Sequence, residues 1–290
     1  MLRASDWVMR TLVALAGLMA GGFSPMRFRL PAGLAVLLAL VAVLSAGQAM
    51  AAAEVHRLSL VLSGIPTQLK GGDINDAIDY YNNVALAPIG NQPIDHIQFT
   101  WAYDAELRYF VRPNFAINAG LSQIRGMQTK QFLPAIGSSW DITAEVIAAP
   151  VHIGAAYYLQ PYNQGDFQAR MFFGAGLMQY TYARATFGQT FTGDGVPPTA
   201  TFHSGVTQDG PGYYLEGGGH MFFASRWSVL ISAMYRSGQL NAAQYDQLTV
   251  AGQDVPIPTG AQIPAYNSKH KPYSIDMSGA GLRLAVAYGF

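Results

Sequence analysis

Three charged residues, Asp104, Glu106 and Arg108, stand two positions apart in one stretch of the chain. Successive side chains of a β-strand point to opposite faces, so residues at this spacing share one face. Charges that leave water must be paired, and the planar guanidinium group of arginine pairs with two carboxylate oxygens at once. The same polar faces of other segments carry four more charged residues: Arg170, Glu216, Arg236 and Arg283. The pattern predicts an interior charge network that forms either a static plug or a gated path for ions.

A second set of residues has side chains that are suited to hydrolysis. His203 and Ser204 are adjacent, His270 lies in another loop, and His152 and His220 fall on polar strand faces. A Ser–His pair needs a carboxylate that orients the imidazole, and the sequence places none beside these residues. A lipid-modifying enzyme is therefore kept as an alternative, and no catalytic residue is assigned.

Oxygen ligands are concentrated in the segment 71–82, which contains Asp73, Asn75, Asp76 and Asp79. Their spacing lacks the pattern of the EF-hand loop, so the segment assigns no metal site. Asp73 is expected instead to cap a short helix. The face of that helix that packs against the rest of the protein would consist of Ile74, Ala77, Ile78 and Tyr81.

The composition excludes several functional classes. The chain has no cysteine, which excludes disulfides, a thiol nucleophile and cysteine-ligated metals. Its 17 basic and 17 acidic residues balance, so there is no basic footprint for nucleic acid. Charged residues make up only 12% of the chain, against about 25% in ordinary soluble domains. No cofactor and no metal ion is expected.

Alternation of apolar and polar residues with a period of two predicts eight strands. The clearest is 97–111, whose odd positions are apolar and whose even positions are mostly polar. Its length exceeds the roughly 5–6 residues of a usual strand and suits a tilted membrane strand. The predicted strands are 55–63, 97–111, 115–125, 143–158, 167–178, 213–223, 227–236 and 282–290.

Short and long connections alternate between these strands. The short ones are 112–114, 160–166 and 224–226, and the long ones are 64–94, 126–142, 184–212 and 237–272. In an up-and-down meander all short turns then lie at one end, as in bacterial barrels with periplasmic turns and extracellular loops. The predicted fold class is all-β, an eight-stranded antiparallel up-and-down transmembrane β-barrel with long extracellular loops. A soluble barrel with an apolar interior is the alternative.

Lysines and aromatic residues favour the membrane barrel over the soluble one. All four lysines fall in long loops, whereas a water-facing sheet would usually carry lysine on its strands. Aromatic residues flank both ends of the predicted strands, including Phe110 and Tyr158 at one end and Trp140 and Tyr180 at the other, as expected for two interfacial girdles. Basic residues at the outer rim would contact either lipopolysaccharide phosphates or only water: Arg125, Lys130, Arg184, Lys269, His270 and Lys271.

The N-terminal segment predicts export. A basic start at 26–29, an apolar core at 30–44 and small residues at 49–51 have the order of a secretory signal peptide. Residues 1–51 are therefore expected to be a signal peptide, with translation starting at Met1 or Met26. Residues 52–290 would form the mature outer-membrane barrel, beginning at or near Ala52 or Glu54.

The last nine residues carry a recognisable pattern. Leu282, Leu284, Val286, Tyr288 and Phe290 alternate with smaller or polar residues and end on an aromatic ring. This pattern looks like the C-terminal signal that the outer-membrane assembly machinery reads. With the signal peptide and the strand layout, the mature chain resembles the small outer-membrane barrel families, which include outer membrane proteins W, A and X. The resemblance implies a location in the bacterial outer membrane and contact with its lipid and lipopolysaccharide.

These observations predict a non-enzymatic outer-membrane barrel. Its role would be to support the envelope, to bind ligands through its loops, or to bind or pass small apolar molecules. The alternatives are a narrow ion channel and a lipid-modifying enzyme. An eight-stranded barrel is just wide enough to be filled by its own side chains, which favours a plug over a channel.

Overall fold

The structure is a computed structural model that describes residues 56–89, 92–133, 137–164, 167–193, 201–223, 226–258, 260–261, 264–265 and 268–290. The predicted signal peptide lies outside the described residues, so its cleavage stays a prediction. The contacts divide the chain into Met1–Gln48 and Ala49–Phe290, and all that follows concerns the second unit. No helix among the described residues combines the length and the apolar character needed to cross a membrane.

Eight long strands form the main sheet. Each pairs antiparallel with the next along the chain, and the first also pairs with the last, so the ring closes. The prediction of an eight-stranded, antiparallel, up-and-down barrel is thereby confirmed. The strands are β1 (Leu58–Gln68), β2 (Phe99–Arg112), β3 (Phe115–Phe132), β4 (Ser138–Tyr158), β5 (Phe167–Gly193), β6 (Thr201–Phe223), β7 (Trp227–Ser237) and β8 (Gly279–Gly289).

The apolar faces of the strands point outward. On β2, Trp101 and Tyr103 are each 53% exposed, whereas Asp104 is 6% exposed and Glu106 is 1% exposed. An apolar outer surface around a polar interior is the arrangement of a membrane barrel and the reverse of a soluble one. The apolar outer surface therefore suits a barrel that crosses a membrane through its strands.

Two of the predicted long loops are wrong. Strands β3 and β4 stay paired as far as Phe132 opposite Trp140, and β5 and β6 stay paired as far as Thr190 opposite Thr201. Most of 126–142 and 184–212 is therefore strand. The 27 residues of β5 span roughly 90 Å of chain at about 3.3 Å per residue, far more than a membrane band about 25 Å tall requires. Past the membrane the outer face meets water, so polar residues such as Thr186 take the outward positions and apolar residues such as Ala185 and Phe187 point inward.

A helix covers the extracellular end, as predicted from segment 71–82. Helix α1 (Asp73–Tyr81) continues as a π-helix (Asn82–Leu86) and a 3-10 turn (Ala87–Ile89). Its inner face buries Ile74, Ala77 and Ile78.

The predicted capping role of Asp73 is wrong, because Gly72 occupies the cap position. The Asp73 carboxylate instead accepts hydrogen bonds from the Ser274 backbone N (2.6 Å) and Oγ (3.1 Å). Gly72 has a φ of +74°, and a Cβ there would lie 2.7 Å from the backbone N of Asp276. Both the conformation and the close approach require glycine.

Short strands complete the fold outside the main ring. Three of them form a small sheet next to α1, two extend the main sheet beside β6, two pair with each other, and one pairs with β5. In that order they are Gly71–Gly72, Gln239–Asn241 and Ser274–Asp276; Gln244–Val250 and Gln253–Asp254; Pro264–Ala265 and Ser268–Pro272; and Tyr162–Gln164.

The barrel interior is filled in layers. The inward residues of β2 pass from Phe110 in an apolar cluster, through Arg108, Glu106 and Asp104, to Ala102 in a second apolar cluster. The first cluster lies at the short-turn end, and the second lies under α1. Four aromatic residues expected in the interfacial girdles belong to this interior instead, because their positions in the strands point inward: Phe110, Trp140, Tyr158 and Tyr180.

Candidate functional site: the buried charge network

Five of the seven predicted network residues meet in the middle layer. Asp104, Glu106 and Arg108 come from β2, Glu216 from β6 and Arg283 from β8, and all five side chains are buried. Strand pairing brings Arg283 and Glu216 to nearly the same depth in the barrel. Both are paired with residues of β7: Arg283 lies opposite Ser232, and Glu216 lies opposite Met234, two positions further along that strand.

Arg283 joins the three carboxylates. Its Nη2 donates to Asp104 Oδ2 at 2.7 Å, and its Nη1 lies 3.2 Å from both Glu106 Oε2 and Glu216 Oε1. Its Nε donates to Ser63 Oγ at 2.8 Å. One guanidinium group therefore connects β1, β2, β6 and β8 across the lumen.

Arg108 forms the second cationic centre. Its Nε and Nη2 both lie 2.8 Å from Glu106 Oε1, and Nη2 lies 3.7 Å from Glu216 Oε2. Its Nη1 donates to Tyr158 Oη at 2.7 Å. Glu106 is thus held by both arginines, and it is the carboxylate with the most cationic contacts.

Neutral side chains complete the hydrogen bonding of the acids. Ser122 Oγ donates to Asp104 Oδ1 (2.7 Å), Asn118 Nδ2 donates to Glu106 Oε2 (2.8 Å), and Ser232 Oγ donates to Glu216 Oε1 (2.6 Å). Sequence pattern alone does not predict a role for these residues. All three occupy inward positions in the alternating pattern of their strands, and that pattern could have identified them as inward-facing.

Arg170 and Arg236 face the same interior, but they do not join the carboxylates, which corrects the expected seven-residue network. Arg170 donates to Gln168 Oε1 (2.8 Å) and to the backbone O of Pro113. Arg236 donates to Met277 O (2.8 Å) and to Thr67 Oγ1 (2.8 Å). Both lie closer to the ends of their strands, where backbone carbonyl groups are available as acceptors.

His152 on β4 is part of the network, although the sequence predicts only its polar strand face and no partner for it. Its Nδ1 lies 3.6 Å from Asp104 Oδ1, and its Nε2 lies 3.5 Å from Glu106 Oε2. These three side chains place ligand atoms within 4.8 Å of one another, which is the grouping that a metal ion requires. However, Asp104 Oδ1 already accepts from Ser122, and Glu106 Oε2 accepts from Asn118 and Arg283, so few lone pairs are left for an ion.

A buried Ser–His pair lies nearer the short-turn end. His220 Nε2 lies 2.8 Å from Ser228 Oγ, and His220 Nδ1 lies 3.1 Å from Tyr158 Oη. A hydrolytic triad has a carboxylate where Tyr158 stands. Both His220 and Ser228 are buried, so a lipid substrate has no access to the serine.

His203 and Ser204 are adjacent in the chain, but they do not form a hydrolytic Ser–His pair with each other. Both residues lie within strand β6, not in the loop expected for them. Consecutive side chains of a strand point to opposite faces, so the imidazole and the hydroxyl diverge.

The rim cations have mixed surroundings. Arg125 Nε lies 2.5 Å from Glu145 Oε1, and Arg184 Nε lies 2.8 Å from Asp246 Oδ2. Both have acidic partners within the protein, which lowers their capacity to bind phosphate. Lys130 Nζ lies 3.4 Å from Gln92 Oε1. The side chains of residues 269–271 lie outside the described part of the chain.

Contacts outside the membrane hold the helix over the barrel mouth. Asn75 Oδ1 accepts from Ile97 N (2.9 Å), and Asn82 Oδ1 accepts from Ile94 N (2.8 Å). Tyr81 donates to Gln189 Oε1. Burial raises the pKa of Tyr81 to about 12, so its hydroxyl keeps the proton that it donates.

A glycine provides the space that His152 occupies. Gly120 on β3 is paired with His152, and a Cβ there would lie 2.7 Å from His152 Cε1 and 2.5 Å from Ala105 O. We expect Gly120→Ala to destabilise the barrel by about 1–3 kcal/mol through overpacking. Urea unfolding in lipid vesicles would measure the change.

Gly219→Ala is the matched control, because the nearest atom to a Cβ at Gly219 is Met171 Sδ at 3.9 Å. Its effect should stay within about 0.5 kcal/mol. Equal effects of the two substitutions would show that the space beside His152 does not matter.

The closed ring, the apolar outer face and the polar, filled lumen define an outer-membrane β-barrel. The family model of the outer membrane protein beta-barrel domain matches residues 36–252, and the chain belongs to this family. The protein therefore resides in the bacterial outer membrane.

Comparison with solved structures finds Ail, the attachment invasion locus protein of Yersinia pestis, in two crystal structures. The first shares 11% identity with a TM-score of 0.29, covering 81% of this chain and 98% of Ail. The second, in complex with the heparin analogue sucrose octasulfate, shares 12% identity with a TM-score of 0.30, covering 80% and 95%. No curated protein matches the chain.

Proposed function

We propose that the protein is a sealed, non-enzymatic surface barrel that presents an extracellular β-sheet for binding. The observation that carries this proposal is the combination of a lumen filled from end to end with strands that continue far beyond the membrane. A barrel that neither conducts nor catalyses acts through what it exposes, and here β3, β4, β5 and β6 expose an extended sheet.

Three layers support the sealed lumen. An apolar cluster closes the short-turn end, the charge network fills the middle, and a second apolar cluster lies beneath α1. Aromatic packing strengthens the second apolar cluster, beneath α1: the Tyr81 ring lies 5.2 Å from the Phe187 ring and 6.0 Å from the Trp140 ring. Water that entered one layer would meet the next, so passage requires several layers to rearrange together.

The expected result in planar-bilayer recording is the absence of a stable large conductance from refolded wild-type protein. A matched variant in which a short Gly-Ser linker replaces residues 73–96 should also stay closed, because the charge network remains. A large, always-open current in the wild type would refute the seal and favour the ion-channel alternative.

The protruding sheet supports the binding role. Its outer face is polar, with Thr143, Glu145 and Thr186 on neighbouring strands β4 and β5. The strand ladders continue through this region, so the surface is held by backbone hydrogen bonds and not by a flexible loop. A rigid surface loses little conformational entropy on binding, which favours affinity.

We expect shortened hairpins to remove the binding function and to spare the barrel. The variant lacks 128–144 and 186–205, which removes the β3–β4 and β5–β6 extensions as register-matched pairs. Cells that display it should lose adhesion to those immobilised proteins or glycans that retain cells displaying the wild type. Heat-modifiable gel mobility should show an intact barrel. Equal adhesion of the two cell types would exclude the sheet, and a greater detergent sensitivity of cells with the shortened barrel would favour an envelope-supporting role.

Binding or passage of small apolar molecules is a second candidate function, and the second apolar cluster, beneath α1, favours it. That cluster is occupied by Ile74 and Ile78 of α1 and by Ile97, so an apolar ligand would have to displace the helix. Fluorescence of a lipophilic probe, compared between the wild type and the linker variant, would test this. Binding by the wild type itself would support the second candidate.

A further inference from the structure

The carboxylates of the buried network outnumber its arginines. Asp104, Glu106 and Glu216 bring three negative charges, and Arg108 and Arg283 bring two positive charges. Arg170 and Arg236 hydrogen-bond to backbone carbonyl and neutral side-chain oxygens elsewhere in the lumen. An uncompensated charge in a dry interior costs several kcal/mol. The cluster therefore needs one more proton, carried either by a carboxylate or by a base beside the carboxylates.

His152 is a base that lies beside two of these carboxylates. Its two ring nitrogens face two different carboxylates, Nδ1 toward Asp104 Oδ1 and Nε2 toward Glu106 Oε2. The side chain is 3% exposed, and Nδ1 has no hydrogen bond of ordinary length. A neutral imidazole has only one N–H, so one of its nitrogens would present a lone pair to a carboxylate. A ring with both protons presents a donor to each acid.

We propose that His152 carries both ring protons in the folded barrel and is the third cation of the network. The stability of the barrel then depends on pH, because removing that proton leaves a buried negative charge without a partner. The proposal concerns the same network as the proposed function, but the two fail separately. A conducting barrel can hold a protonated His152, and a sealed barrel can hold a neutral one.

The surroundings of His152 favour a proton over a metal ion. The charged and titratable groups that face it are Asp104 and Glu106, with Arg283 behind both acids and the Tyr214 ring 5.6 Å away. One proton brings the network to neutrality, whereas a divalent ion would leave it with an excess positive charge. A divalent ion would also need carboxylate oxygens that already accept from Ser122, Asn118 and Arg283.

The direct test is ¹⁵N NMR of the histidine rings in refolded wild-type protein in lipid nanodiscs, with metal chelated. Two histidines serve as internal references. His203 is exposed, and the hydrogen-bond partners of His220 among the described residues are the neutral groups of Tyr158 and Ser228. At a pH at which the His203 ring has become neutral, His152 should still show two protonated nitrogens. A neutral His152 ring at that pH would overturn the proposal. A change in the His152 ring signals when zinc is added would also overturn it.

A set of variants tests the charge count independently of the spectra. His152→Gln should lower the midpoint of heat-modifiable unfolding by about 10 °C, the shift that loss of a buried ion pair causes in a domain of this size. Adding Asp104→Asn removes the excess negative charge and should restore at least half of that loss. The advantage of wild type over His152→Gln should shrink as the pH rises past the point at which the ring signals show loss of the proton.

His220→Gln is the control for a buried histidine that is not balanced against acids. Adding Asp104→Asn to this variant should restore nothing. If His152→Gln has no effect, or if Asp104→Asn fails to rescue it while the barrel is folded, His152 is not a cation of the network.

Discussion

Replacing Arg283 with methionine should destabilise the folded barrel by about 3–5 kcal/mol, the cost of leaving a buried charge without its partner. Arg283 contacts Asp104, Glu106 and Glu216, and it holds Ser63 through Nε. Methionine fills much of the same space, so the loss reports the charge and not a cavity. Urea unfolding in lipid vesicles would measure it, with heat-modifiable gel mobility as a check of folding.

Arg184→Met provides the matched control for that substitution. Arg184 pairs with Asp246 at 2.8 Å, but on the extracellular surface, where the two side chains are 17% and 29% exposed. A pair of this kind contributes at most about 1 kcal/mol. Equal losses from the two substitutions would show that the buried network contributes no more than a surface pair.

The opposite charge should be easier to remove. Glu216→Ala takes away one of three carboxylates, and Arg108 and Arg283 both keep their contacts with Glu106. Arg283→Met takes a cation from three carboxylates, whereas Glu216→Ala leaves both arginines with an acidic partner, so we expect Glu216→Ala to cost less than Arg283→Met in the same unfolding experiment. A larger cost for Glu216→Ala would show that Glu106 alone is not a sufficient partner for the two arginines.

Deleting Phe290 should remove most of the folded protein from the outer membrane of living cells and leave refolding in detergent nearly unchanged. The expectation rests on the C-terminal pattern of Leu284, Val286, Tyr288 and Phe290, which resembles an assembly signal. In the structure Phe290 contributes little to the fold: its backbone N donates to Leu58 O at 2.9 Å, and its ring lies 5.3 Å from Tyr288. Its loss should therefore impair recognition more than stability.

Phe167→Ala is the control for an aromatic residue at the same end of the barrel. The Phe167 ring packs against Phe223 at 5.9 Å in a comparable partly buried setting. Folded protein in cells, measured by heat-modifiable mobility, should be close to the wild-type level for this control. Equal yields from the Phe290 deletion and the wild type would exclude the terminal residue as an assembly signal.

The amino-acid sequence alone determined the strands of the barrel and which residues share a face. The two-residue period in 97–111 places Asp104, Glu106 and Arg108 on one side and Trp101 and Tyr103 on the other. This period is a local property of the extended chain, so it can be read without knowing any neighbour. The same reasoning identified α1 from the helical spacing of Ile74, Ala77 and Ile78.

The extent of the strands could not be read in the same way. Residues 126–132 and 184–193 extend past the membrane, where the outer face contacts water and not lipid, so the apolar outward pattern that marks the membrane strands does not continue into them. Their pairing is fixed by backbone hydrogen bonds to the neighbouring strand, and side chains contribute little to the sequence signal there. The aromatic residues Trp140 and Tyr180 were misplaced for a related reason, since these positions face the interior.

Only the tertiary structure decided which charges meet. A period of two shows that Arg170, Arg236 and Arg283 all point inward. It does not show how deep in the barrel each arginine lies, or which strand faces it across the lumen. Those depend on the stagger of the strands when the sheet closes into a barrel. Closure brings Arg283 to three carboxylates and places His152 between two of them, and it leaves Arg170 and Arg236 among backbone carbonyl groups.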